Sequence, residues 1–200
     1  MPYINEIVSI INDTLANGTL SDDKRFRKKL YGLSELVPRN YNNAQDNIPT
    51  LVDINGGTTF SGMSDIYSIQ IYHRCITTNI IDPPVTFGDG GNVSREEANM
   101  RMIAFADRNI IKMLPNQLSF ILSAGIQQQL QYTQISSYQG LLGVIIEADT
   151  TNFDSVAIFT NEYKLPVSSY PLHPNHILIS MDYTITTDYD ITCISNCPIC

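Results

Sequence analysis

Hydrophobic positions near the start of the chain recur at helical spacing: Ile4, Ile7, Val8, Ile11 and Leu15 fall on one stripe, and Asn17-Gly18 follows as a stop. The pattern predicts an amphipathic helix over residues 3–16 that packs its stripe against the rest of the fold. Lys24, Arg25, Arg27, Lys28 and Lys29 then crowd together beside Asp22 and Asp23, which reads as a solvated face rather than a phosphate contact. Residues 36–50 (LVPRNYNNAQDNIPT) have no periodicity and read as an irregular loop inside a domain. LVDI-NGG-TTF sets Asn55-Gly56 between two apolar runs, a hairpin signal. In DIYSIQIYHRCITT the period is two, which places Tyr67, Ile69, Ile71, His73, Cys75 and Thr77 together on the core face of a strand.

The next segment, FGDGGNVSREEANM, opens a predicted central helix. Ser94 and Glu97 form an S-x-x-E capping box, and Ala98, Met102, Phe105, Ala106, Ile110 and Met113 continue as its buried stripe. Pro115 restarts a short apolar helix, LSFILSAGI, that closes near Gly125. Beyond Gln127 the pattern is strands: IQQQLQYTQI, LLGVIIEA, SVAIFTNEY and HILISMDYTITTDYDI. In the last run Ile177, Ile179, Met181, Tyr183, Ile185, Tyr189 and Ile191 alternate with polar residues, without Gly or Pro. A strand so long overruns a small core, so it either bends near Thr186–Asp188 or projects to pair with another chain. The order of elements predicts an α+β fold: a mixed, mostly antiparallel sheet packed against the N-terminal helix and the capped central helix.

With 200 residues, 43% of them hydrophobic, the chain can bury one sizeable core, and a single domain over 1–200 is expected, with a cysteine-containing tail over 193–200. No basic residue precedes the first apolar residues and no apolar run nears the roughly 18 that cross a bilayer, so a soluble, non-exported protein without a membrane partner is expected. Four cysteines are too few for a disulfide scaffold. The formal charge of −8 argues against a nucleic-acid-binding surface. It is also unevenly spread: residues 1–112 carry a net of −2, while residues 113–200 hold Lys164 against seven carboxylates.

Candidate chemistry is sparse. Cys193, Cys197 and Cys200 stand at C-x3-C-x2-C spacing and are the candidate metal ligands, with His173 or His176 able to supply a fourth. Cys197-Pro198-Ile199-Cys200 is also a loose prenylation signature, without the polybasic segment that usually precedes one. A tail of reduced thiols is the plainer reading. His73 and Cys75 share a strand face, but nothing nearby in sequence orients the imidazole, which reads as a core histidine. Asp149 and Asp154 lack the ligand density of a calcium loop. The glycines at 88–91 are followed by Glu96 and Glu97, which would repel a phosphate. No catalytic residue, cofactor or enzymatic activity is expected.

Taken together, MPYINEIVSIIN, SIQIYHRCITT, SREEANMRMIAFADRNII and the closing HILISMDYTITTDYDI give the chain a layout that resembles bacteriophage neck and tail ring proteins, the tail terminators and tail-completion or head–tail joining proteins. The Ile, Asn and Tyr bias resembles proteins of crAss-like gut phages. The resemblance implies a non-catalytic virion protein, assembled in the host cytoplasm into a homo-oligomeric ring. Such a ring connects capsid or portal to tail, contacts other neck and tail proteins, and lets DNA pass without specific binding. It also implies an acidic lumen, for which Glu147, Asp149, Asp182, Asp188 and Asp190 are the candidate lining residues. The competing reading is a small soluble metal- or ligand-binding enzyme that uses the Cys and His residues.

Overall fold

A computed structural model describes residues 2–20, 26–40, 47–54, 59–61, 64, 66–86, 92–131, 141–164 and 175–190. Helix α1 (Pro2–Thr14) runs into a π turn over Leu15–Thr19. Strands β1 (Lys28–Asn40), β2 (Asn47–Asp53), β3 (Thr59–Ser61), β4 (Ile69–Thr86) and β5 (Asn92–Asp107) follow. After the single turn α2 (Arg108–Ile111) come α3 (Pro115–Ile126), β6 (Gln128–Gln131), β7 (Leu141–Asn152), α4 (Ser155–Tyr163) and β8 (His176–Asp190). Among the described residues, eight strands make one sheet in the order β3-β2-β1-β4-β5-β8-β7-β6. The β1–β4 pair is parallel and the other pairs are antiparallel. The fold is therefore α+β with a mixed, mostly antiparallel sheet.

Both faces of the sheet carry helices. On one, Ile4, Ile7, Val8 and Ile11 of α1 and Leu15 of the π turn pack with Leu118, Leu122 and Ile126 of α3. They cover Ile69 and Ile71 of β4, Met100, Met102 and Ala104 of β5, and Ile177, Ile179, Met181, Tyr183 and Ile185 of β8. On the other, Ile158, Phe159 and Tyr163 of α4 cover Tyr72, Ile103, Phe105 and Leu178. Each such side chain contributes roughly 1.5–3 kcal/mol on burial. This two-sided cover explains why β8 changes burial along its length: residues 177–181 are buried on both faces, Leu178 and Ser180 included, while the later residues alternate.

Four sequence expectations give way to tertiary context. The predicted capped central helix is instead β5, because Ala98, Met100, Met102, Ala104 and Ala106 also recur at period two, and pairing with β4 and β8 on both sides satisfies that period. SVAIFTNEY, read as a strand, is α4: the side chain of Asp154 caps it by accepting from the backbone N–H groups of Val156 and Ala157. The loop expected over 36–50 is largely hairpin, with β1 continuing to Asn40 and β2 starting at Asn47 in register with it. The long final strand neither bends nor projects, since β5 and β7 take its two edges inside the chain. The predicted N-terminal helix and the β2–β3 hairpin are present, with Val52 opposite Thr59.

Candidate functional site

Helix α4 covers only part of its sheet face, and the rest is polar. Its rows follow from the strand registers. Arg74, Arg101 and Asp182 stand side by side on β4, β5 and β8 nearest the helix. Next come Thr77, Asn99, Thr184 and Glu147, then Asn79, Glu97, Thr186 and Ile145, and finally Arg95, Asp188 and Gly143. A ladder of side-chain hydrogen bonds ties one row across three strands: Asn99 Nδ2 donates to Thr77 Oγ1 at 3.1 Å and Thr184 Oγ1 to Asn99 Oδ1 at 3.4 Å.

Every arginine on this face is held by a carboxylate. Arg101 grips Asp182 bidentately, Nε to Oδ1 at 2.6 Å and Nη2 to Oδ2 at 2.8 Å. Its Nη1 and the Nη1 of Arg74 both donate to Glu162, which α4 inserts from its last turn with a side chain 5% exposed. Its hydrogen bonds to Asp182 and then to Glu162 raise the pKa of the Arg101 guanidinium further. Arg95 takes Asp188 in the same bidentate way at 2.7 and 3.0 Å. A cavity of about 240 Å³ beside the cluster is lined also by Thr150, Asn152, Asn161 and Ser180. Beneath it Tyr72 and Tyr163 share a hydrogen bond at 3.3 Å, and burial pushes both phenols up in pKa.

The structure gathers four of the five acidic residues expected at a lumen. Asp182, Asp188 and Asp190 share one face of β8, and Glu147 of β7 lies opposite Thr184 on that same face. Asp149 is exposed but sits in the register shift of β7 between Ala148 and Thr151. The arginine and Glu162 side of the cluster escaped the sequence reading, since Arg74 and Glu162 are 88 residues apart and no local pattern joins them.

His73 belongs to the core. Asn12 of α1 donates to the backbone carbonyl of Tyr31 at 2.9 Å, so its Oδ1 is left to accept from His73 Nε2 at 3.0 Å. The other ring nitrogen, Nδ1, then accepts from the Tyr183 hydroxyl at 2.9 Å. Both nitrogens are occupied, and burial lowers the pKa of the imidazole to about 3, so the ring is neutral. Cys75, expected on the same core face, is exposed, and a register shift beyond it turns Thr77 to the polar face. Partial desolvation by the atoms around it raises the pKa of its thiol.

Cys193, Cys197, Cys200 and His173 lie outside the described residues. His176 lies 3.7 Å from Asp107 and against the ring of Phe105. Among the described residues no three His, Cys, Asp or Glu side chains group to hold a metal ion, and no helix is long and apolar enough to cross a membrane. No protein-family model matches the chain, and a search of curated proteins gives no match.

Proposed function

We propose that this protein is a structural subunit of a phage neck or tail, a homo-oligomeric ring that connects capsid or portal to tail, with the polar half of its sheet bordering the DNA path. The observation that carries the reading is the part of this face that α4 leaves uncovered. Its described residues set Arg74, Arg95 and Arg101 against five carboxylates, Glu97, Glu147, Asp182, Asp188 and Asp190, with Glu162 of α4 at its border, and each arginine is already paired. Duplex DNA carries one charge per about 1.7 Å, and a wall of free guanidinium groups would retain it. Paired arginines and surplus carboxylates present the opposite surface, with repulsion screened over roughly 8 Å at physiological salt. Such a subunit acts in the virion, among other neck and tail proteins, and catalyses nothing.

The test is a reconstruction of the particle, with the mass of the purified assembly beside it. A ring whose inner wall carries Glu147 and Asp188 is the expected result, and a subunit absent from virions, or a basic lumen, overturns it. A solution measurement supports the electrostatic part separately. The parent should pass through a duplex-DNA column, whereas Asp182→Asn with Asp188→Asn, which leaves Arg95 without its carboxylate and Arg101 with Glu162 alone, should be retained at low salt. Equal elution of the two would count against the face as a DNA-facing wall.

A further inference from the structure

The longest described strand of the sheet, β4, is paired along only part of one of its sides. β1 pairs with β4 from Ile69 to His73, across a register shift between Leu30 and Leu33, and then leaves, pairing from Ser34 onward with β2. A notch of about 380 Å³ opens between them, lined by Leu33, Ser34, Leu36, Arg74 and Cys75 among others. At the far end stand Pro83 and Pro84, which have no N–H to donate and belong at strand edges. Between these limits lies Arg74–Asp82, RCITTNIID, paired with β5 on one side and with no described strand on the other. Nine residues at about 3.3 Å each make an edge of roughly 30 Å. Ile76, Ile80 and Ile81 on it are 44%, 66% and 45% exposed. Ile76 and Ile81 are the extra residues at two register shifts with β5, so the bulges carry isoleucine, where an edge guarded against pairing carries charge.

The sequence of the edge selects its partner. Laid antiparallel on a second copy about Thr78, it sets Arg74 opposite Asp82, Ile76 opposite Ile80, Thr77 opposite Asn79, and Thr78 opposite itself. Antiparallel partners must share a face, and they do: Thr77 and Asn79 stand opposite Asn99 and Glu97 on the polar face, Thr78 opposite Ala98 on the helix-covered one. A slip of one residue breaks this parity, and a parallel pairing stacks Arg74 on Arg74. We infer that Arg74–Asp82 of β4 is a self-association edge, which pairs antiparallel with the same stretch of a second copy about a two-fold axis at Thr78 and continues the sheet across both. The contact is isologous and closes at two copies, whereas a ring needs head-to-tail contacts elsewhere on the subunit, so either can fail without the other.

Light scattering on the full chain should give a dimer, or an even-numbered assembly of dimers. Ile80→Lys, at a site two-thirds exposed, should leave the melting temperature unchanged at dilutions where both proteins are monomeric, and weaken association by roughly tenfold per copy, about 100-fold per dimer. Register is read by Thr78→Cys in a chain whose four native cysteines are serine: mild oxidation should yield a covalent dimer, because directly opposed residues bring their Cα atoms within disulfide reach. Thr150→Cys, exposed on β7, should not cross-link under the same conditions. A monomer that associates solely with another protein, an Ile80→Lys dimer as tight as the parent, or cross-linking no better at position 78 than at 150 would each overturn the inference.

Discussion

Acidification from about pH 7 to about pH 5 tests the buried Asn12–His73–Tyr183 chain in a window where few carboxylates titrate. In the unfolded chain the imidazole titrates near 6.5, whereas in the fold burial holds it down to about 3. Above 6.5 the ring is neutral in both states and its contribution is complete. Below that, the unfolded chain takes up a proton that the folded chain refuses, so stability declines as pH falls toward the folded value. Each pH unit is worth about 1.4 kcal/mol, which makes the loss about 2 kcal/mol at about pH 5, a large share of a typical 5–15 kcal/mol. Urea unfolding followed by far-ultraviolet circular dichroism suits a chain with no tryptophan. His73→Gln keeps one donor and one acceptor but does not titrate; it should be less stable at neutral pH and lose most of the pH slope. His173 and His176 are common to both proteins and cancel in the comparison. Parallel loss of stability in parent and variant would refute a neutral, buried His73.

Two further substitutions probe the other face of the sheet. Glu162→Gln leaves Arg74 and Arg101 without their shared carboxylate; because both arginines are about 30% exposed, the expected cost is about 2–3 kcal/mol, less than for a wholly buried pair, read as a lower urea midpoint at unchanged slope. A loss under about 0.5 kcal/mol would place the cluster with ordinary surface pairs. Phe159→Ala removes a fully buried ring from α4 and should cost about 3–5 kcal/mol, a fall of about 10 °C in melting temperature; a change of about 2 °C or less would mean that α4 does not depend on this contact.

Some residues declared their structure through local chemistry alone. Ile4, Ile7, Val8, Ile11 and Leu15 predicted α1 and its buried stripe, and all five are at most 2% exposed. Asn55-Gly56 predicted the β2–β3 hairpin, and the alternation from Ile177 predicted a long strand to Ile191, of which β8 covers His176–Asp190. His73 was legible as a satisfied core histidine, although neither Asn12 nor Tyr183 was legible as its partner. For α4 a usable signal was present: Asp154 at the N-cap, with Ile158, Phe159, Glu162 and Tyr163 at helical spacing. The short apolar run Val156–Phe159 satisfied both periods and masked it.

The sequence by itself determined the α+β class, the N-terminal helix, the hairpin, the strand character of β8 and the acidic bias of the C-terminal half, because each depends on spacing within one segment or on composition. Tertiary structure decided the state of residues 92–107, whose apolar positions fit helix and strand alike until β4 and β8 supplied hydrogen-bonding partners on both sides. It also decided which carboxylates share a face, which arginines neutralise them, and where β1 leaves β4 to expose an edge. Those outcomes are pairings between residues tens of positions apart, as Arg95–Asp188 and His73–Tyr183 are, and the free energy that selects them arises when the strands meet.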